Sequence, residues 1–158
     1  MTPSNPFNNQ LEIGLRLLSI LNEAFPKKKI NLQSLIYIDY IVIHSGDFDN
    51  ATQSIHAPVP YRESEILIKR NLIKDSLDFL LYKNLVDISY DSDGITYVAT
   101  EDSTPFLDKL SEQYTQELLI RVKWFFSKYE STDELLLRNI FSTRDNLTNT
   151  EFNIGILK

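Results

Sequence analysis

The sequence contains no cysteine, so disulfide bonds and thiolate metal sites are excluded. It also has no apolar run of the roughly 20 residues that a helix needs to cross a bilayer. The richest apolar stretch, residues 32–43, is shorter than that and contains Asp39. Residues 1–10 are polar and lack the charged-then-apolar order of a signal peptide. We therefore expect a cytoplasmic protein with no membrane partner.

Glycine and histidine are scarce, which bears on catalysis. None of the four glycines lies in a phosphate-binding loop, and no Gly-x-Ser-x-Gly nucleophile motif is present. His44 and His56 are the only histidines, and they match no metal-binding spacing, although Asp39, Asp47 and Asp49 lie near them in the sequence. The simpler interpretation is that His44 caps a helix and His56 packs in a loop. We expect no cofactor, no metal and no enzymatic activity.

A basic excess is missing as well. The net charge is −6, and the excess is confined to one half of the chain. Residues 1–83 hold nine acidic and nine basic residues, whereas residues 84–158 hold thirteen acidic and seven basic residues. Because a protein that binds DNA on its own usually carries a basic footprint, we expect nucleic acid to be bound only within a larger complex.

Apolar residues recur at intervals of three and four along most of the chain, which predicts a mainly α-helical protein. Two short β-prone runs flank an Asp-Gly turn and predict a small β-hairpin. The predicted elements, in chain order, are helices over 11–25 and 32–44, a long connection over 45–62, a third helix from 63 or 64 to 83, strands over 85–90 and 95–99, and helices over 105–128 and 132–141.

The order of these elements predicts a fold class. Three helices followed by a two-stranded wing are typical of a winged helix, and two C-terminal helices would add a layer to that core. We predict a single winged-helix-like domain over residues 1–142. The remaining residues, 143–158, are predicted to be a C-terminal tail and are a candidate partner-binding segment.

Local signals predict where several helices begin and end. Pro26 should end the first helix, and Asn31 should be the N-cap of the second. Thr104, followed by Pro105, is the predicted N-cap of the fourth helix. The segment Ser131-Thr-Asp-Glu134 matches a capping box that would start the fifth.

Asp39 lies within an apolar segment, and a buried carboxylate must be paired or hydrogen-bonded. We expect Arg62 or Arg70 to be its partner, so that the pair would tie the long loop to the second helix.

Four basic residues, Arg62, Lys69, Arg70 and Lys74, cluster on the third helix, with the last three predicted on its outer face. In a winged helix this element normally enters the major groove, so these residues are candidates for phosphate or partner contacts. The alternative, which we favour slightly, is a solvated face on which Glu65 and Lys69 form an i,i+4 pair.

Four aromatic residues, Trp124, Phe125, Phe126 and Tyr129, lie close together near the end of the fourth helix. Four positions within six residues span most of a helix circumference, so at least one should be exposed or at an interface. Trp124, Phe126 and Tyr129 are therefore candidate interface aromatics. The alternative, that the fifth helix or the tail covers them, is equally consistent with the sequence.

Two longer motifs carry a resemblance to a known family. They are Asp39-Tyr-Ile-Val-Ile-His-Ser-Gly-Asp47 and Ser54-Ile-His-Ala-Pro-Val-Pro-Tyr-Arg62, followed by similarities over 65–70 and 77–86. Together they resemble the middle component of bacterial ABC-three component systems, the group that includes the small subunit of Lamassu-type anti-phage defence. The resemblance covers residues 7–130. Residues 48–53 depart from it, because a glycine-proline-rich link is expected there.

The resemblance implies a subunit that bridges an SMC-like ABC ATPase and an effector, often a nuclease, in an anti-phage or anti-plasmid complex. DNA would be a partner only indirectly, through that complex. The competing hypothesis is a winged-helix transcription regulator that binds DNA itself. The resemblance also implies that the motif residues shape the long loop; these are Asp39, His44, Asp47, His56, Tyr61 and Arg62.

Overall fold

The computed structural model describes residues 9–26, 28–59, 61–92 and 94–142, with Arg62 described by its backbone alone. The predicted tail, residues 143–158, lies outside this part of the chain. The elements are α1 Gln10–Ala24, β1 Ile30–Asn31, α2 Leu32–Ile43, a 3-10 turn Ser45–Asp47, α3 Arg62–Tyr82, β2 Val86–Asp91, β3 Gly94–Ala99, α4 Ser103–Asp108, α5 Gln113–Lys128 and α6 over residues 134–142.

The prediction of a mainly α-helical chain with a small β-hairpin is confirmed. β2 and β3 pair antiparallel, with Tyr90 opposite Ile95, and Gly94 adopts the positive φ of 111° that the tight turn requires. The sequence did not predict β1, which pairs Ile30 with Tyr97 and extends the sheet to the order β1-β3-β2. The winged-helix assignment stays a prediction.

The core is built around α1 and α2. α1 packs against α2, α3, α5 and the sheet, and its residues 16–21 are buried on all sides of the helix. α2 is buried on all sides from Ser34 to Ile43, which explains why its apolar residues show so little helical periodicity. No helix in the described ranges combines the length and apolarity that crossing a bilayer requires.

Local sequence explains where α2 begins and where α3 ends. Asn31 caps α2 as predicted, because its side chain accepts a hydrogen bond from the Ser34 backbone N–H at 2.8 Å. α3 ends where Asn84 adopts a φ of 60°, and the N–H groups of Asn84 and Leu85 return to carbonyls of the last turn.

The predicted fourth helix over 105–128 is wrong as a single element. The chain forms the short helix α4, breaks over residues 109–112, and starts α5 at Gln113 with Glu112 extended at ψ 147°. The break lets α4 pack mainly on α1 while α5 packs on both α1 and α2. Thr104 does not cap the helix; its hydroxyl instead donates to the Asn22 side-chain carbonyl at 2.9 Å.

The predicted capping box at Ser131 is also wrong in detail. Asp133 caps α6, since its carboxylate accepts a hydrogen bond from the Leu136 N–H at 3.1 Å. The Ser131 hydroxyl accepts from the Asp133 N–H and so supports the residue that forms the cap.

We predict that Asn31→Ala lowers the free energy of unfolding by about 1 kcal/mol, because the Ser34 N–H loses its partner. Asn31→Ser is the matched control, since serine keeps an oxygen at the cap while losing the contact that the Asn31 amide makes with Glu134. Urea unfolding should place the serine variant closer to wild type. Equal destabilisation of the two variants would contradict a capping role.

Candidate functional site

A buried ion pair joins α1 to α2. Arg16 Nε lies 2.6 Å from Asp39 Oδ1, and Arg16 Nη2 lies 3.0 Å from Oδ2, so the guanidinium meets the carboxylate in a bidentate arrangement. Both side chains are almost fully buried, and Arg16 also donates a hydrogen bond to the hydroxyl of Tyr114 on α5. The pair therefore connects three helices through charge-assisted hydrogen bonds.

The prediction that Arg62 or Arg70 would pair with Asp39 is wrong. Arg70 is exposed and donates to the Gln33 side chain at 2.7 Å, and Arg62 is the first residue of α3. A signal for the real partner was present in the sequence, because Arg16 is the only charged residue between Glu12 and Glu23 in an otherwise apolar helix.

The electrostatics keep both members of the pair ionised. Burial alone would raise the pKa of Asp39, but the charge and hydrogen bonds of Arg16 hold that pKa below its ordinary value, with Lys69 and His56 adding to the effect. Burial likewise disfavours the guanidinium, yet Asp39 raises the pKa of Arg16 above its ordinary value. The pair is a fixed structural charge rather than a proton donor.

Lys69 belongs to the same buried region, which corrects its predicted position on the outer face of α3. Its side chain is almost fully buried, and its ammonium lies 2.5 Å from the Glu65 carboxylate. The predicted i,i+4 pair is therefore confirmed, but it is buried and not solvent-exposed as expected. This side of α3 packs against α2, close enough for Lys69 to act on Asp39. Arg70 and Lys74 remain as exposed cations of that helix.

The long loop joins this polar cluster at His56. The N–H groups of Ile55 and His56 both donate to the carbonyl of Ile43 at 3.0 Å, which ties the end of the loop to the last turn of α2. The His56 ring meets that of His44 edge to face at 6.2 Å. His44 is the C-cap of α2, as predicted. Burial, together with the charges of Arg16 and Lys69, lowers the pKa of His56 to about 4, so it is neutral at pH 7.

The start of the loop folds back on its own second half. The Gly46 N–H donates to the Ser54 hydroxyl at 2.9 Å, and the Ser45 hydroxyl donates to the Gln53 carbonyl at 3.2 Å. A Cβ at position 46 would lie 2.8 Å from that same Ser54 oxygen, so any larger residue would displace the Ser54 side chain and disturb this hydrogen bond. The Ser-Gly of the first motif therefore closes the loop onto the residues that begin the second motif.

α5 holds the outer side of the loop with three side chains spaced along one face. Arg121 Nε donates to the Gln53 carbonyl at 2.8 Å, and Lys128 Nζ donates to the Phe48 carbonyl at 3.2 Å. Between them, Trp124 Nε1 donates to Asp49 Oδ2 at 3.0 Å. A backbone hydrogen bond from Ala51 and the contact with Trp124 lower the pKa of Asp49. From the sequence, Asp49 is a candidate only as a possible metal ligand, and Arg121 is not among the candidate residues.

The aromatic residues at the end of α5 are more buried than the sequence predicted, within the part of the chain that the structure describes. Phe125 is buried, and Trp124, Phe126 and Tyr129 are half-buried. Trp124 packs edge to face on Tyr129 at 6.2 Å, and the Lys28 ammonium lies 5.9 Å from the centre of the Phe126 ring. None of the four is left exposed; their role at an interface stays a prediction.

The structure thus gathers some of the motif residues and separates others. Asp39, His44 and His56 lie together, and Asp47 lies in the 3-10 turn that follows His44. Tyr61, in contrast, is exposed immediately before α3. No group of three or more His, Asp or Glu side chains in the described ranges has the arrangement of a metal site. In the cluster of Asp39, His44 and His56, the charge of Asp39 is paired with Arg16, and His56 attaches the loop to the end of α2.

We predict that Asp39→Asn lowers the free energy of unfolding by about 3–5 kcal/mol, because Arg16 is left buried without a counter-charge. Replacing both residues, Arg16→Met with Asp39→Leu, should cost less than the single change. Asp75→Asn, at an exposed position of α3, is the control and should change stability by less than about 0.5 kcal/mol. A double variant less stable than Asp39→Asn would contradict this account.

We predict that His56 makes stability fall as the pH drops from about 6.5 to 4. The unfolded chain binds a proton at the ordinary pKa near 6.5, whereas the folded chain resists protonation until about 4. His56→Gln removes this difference, so the slope of unfolding free energy against pH should flatten over that range. Urea unfolding at several pH values checks it, and an unchanged slope would refute it.

Comparison with known proteins identifies the family of the chain. A family model described as ABC-three component (ABC-3C) system Middle Component 2 matches residues 6–150, which is most of the chain. Comparison with curated proteins finds no match, and comparison with solved structures finds none either. The family match spans the buried cluster, the loop motifs and all the described helices. The chain therefore belongs to the middle component 2 family of ABC-three component systems.

Proposed function

We propose that the chain is a non-catalytic bridging subunit in the cytoplasm that links an SMC-like ABC ATPase to an effector such as a nuclease. The complex would act in defence against phages or plasmids, as in Lamassu-type systems. Membership of the family supports this proposal, because an ABC-three component system implies an ATPase and further subunits as partners. The subunit would bind the resting and the activated states of its partners with unequal affinity, so that the effector is held inactive in one state and released in the other.

The observation that carries the proposal is the outward surface of α3. Leu67 is 72% exposed and Ile68 is 71% exposed, in the helix that a DNA-binding winged helix would place in the major groove. The exposed cations Arg70 and Lys74 share this surface with the carboxylate of Asp75. Exposed apolar side chains favour contact with a protein rather than with phosphates.

The hairpin supports the same conclusion. Residues 86–99 contain three aspartates and no lysine or arginine, and Asp87 and Asp91 are exposed. A wing with this charge would repel the DNA backbone instead of contacting it. DNA then reaches the complex through the ATPase, and the subunit meets it only indirectly.

The remaining residues have structural roles in this proposal. Residues 1–142 act as one winged-helix-like domain, with residues 143–158 as a segment available to a partner. The cluster of Asp39, His44 and His56 keeps the loop in one conformation, so that its outer surface and the neighbouring aromatic residues of α5 can serve as an interface. The internal hydrogen bonds of the loop to α2 and α5 support this assignment.

We predict that the full chain co-purifies with the ATPase and effector encoded beside it, and that Leu67→Glu lowers recovery of at least one of them tenfold or more. Lys123→Glu, at an exposed position of α5 away from this surface, is the control and should bind as wild type does. A transcription regulator would show the opposite pattern, with DNA binding in a gel-shift assay that weakens steeply with salt and is lost in Lys74→Glu. Failure of the wild-type chain to bind either component would refute the proposal.

A further inference from the structure

An apolar groove runs between α1, α3 and α4, well away from the loop cluster. It has a volume of about 460 Å³. One wall is formed by α1, with Leu11, Leu15 and Leu18, and the facing side chains are Phe79 of α3 and Phe106 of α4. Among the described residues that line it, Lys83 is the only charged one.

The shape of the groove fits a helix better than a small molecule. Leu11, Leu15 and Leu18 are spaced at i, i+4 and i+7, so the wall extends about 10 Å, or two helical turns. The rims stay open, with Leu11 68% exposed and Phe106 43% exposed. A small-molecule site encloses most of its ligand and offers convergent polar groups. An open apolar groove, in contrast, is typical of a site that binds an amphipathic helix.

Charge at one end specifies the occupant further. The Lys83 ammonium lies 5.7 Å from the centres of the Phe79 and Tyr82 rings, so it stays at the mouth of the groove over aromatic faces. A carboxylate on the bound helix would complement this cation. The expected occupant therefore has apolar residues at i, i+4 and i+7 and an acidic residue near one end.

We propose that this groove binds an amphipathic helix with one acidic end, contributed by another component of the same system. The inference rests on the proposed function, because a bridge needs two surfaces that can be occupied together. Leu67 and Phe79 are twelve residues apart on α3, which separates the two surfaces by roughly 18 Å along the helix and a third of a turn around it. Two partners can thus bind α3 at once.

The test uses the full chain co-expressed with the ATPase and the effector. Leu11→Glu and Phe106→Glu should each weaken binding of one component at least tenfold, and Lys83→Glu should weaken the same component by a smaller factor. Ile120→Glu is the matched control, since Ile120 is 59% exposed on α5 outside the groove. Unfolding midpoints near that of the wild type would establish that the variants fold.

A photo-crosslinking residue in place of Leu11 identifies the occupant directly. A cross-link to a helix of the ATPase or effector supports the proposal. A cross-link to residues 143–158, a cross-link to a second copy, or a small-molecule adduct in native mass spectrometry overturns it. Groove variants that bind every component as the wild type does would also overturn it, while leaving the bridging role intact. If the wild-type chain binds neither component, the bridging role itself fails.

Discussion

The contact between Arg16 and Asp39 is the constraint around which the rest of the molecule is arranged. Two unlike charges without access to water are tolerated only when their hydrogen bonds are well made. Here the bidentate geometry and the added bond to Tyr114 meet that requirement. Because each partner lies on a different helix, these contacts constrain how α1, α2 and α5 pack against one another. His56 lies beside the same charges, so the core helps to position the loop, together with the hydrogen bonds that the loop makes within itself.

This arrangement explains what holds the residues of the two motifs together. Histidine and aspartate residues close in sequence suggest a metal or an acid–base pair, yet here the carboxylate is held ionised and His56 is held neutral. Neither group is poised to exchange a proton near pH 7. Their common effect is to keep the loop against α2 while α5 holds its other side. The motif residues therefore hold the loop against the body of the protein.

Much of the fold could be predicted from the sequence, because the helices carry strong periodic patterns and Asn31 carries a clear cap. The failures share a cause, since each depended on contacts between distant segments. β1 has only two residues and is defined by its partner strand, so it leaves no pattern of its own. The break between α4 and α5 is explained by packing, because it allows α5 to contact both α1 and α2. The partner of Asp39 was missed because Arg16 and Arg62 are each 23 residues away from it, so spacing in the sequence could not choose between them.

α3 is a single rod of 21 residues that contributes to both apolar surfaces and to the buried Glu65–Lys69 pair. A rigid element shared in this way transmits small displacements from one end to the other. If one occupant favours a slightly different seating of α3, it changes the affinity for the second occupant, and thermodynamic linkage makes the effect equal in both directions. The subunit would then be an allosteric relay between its two neighbours, sensitive to the order in which they arrive.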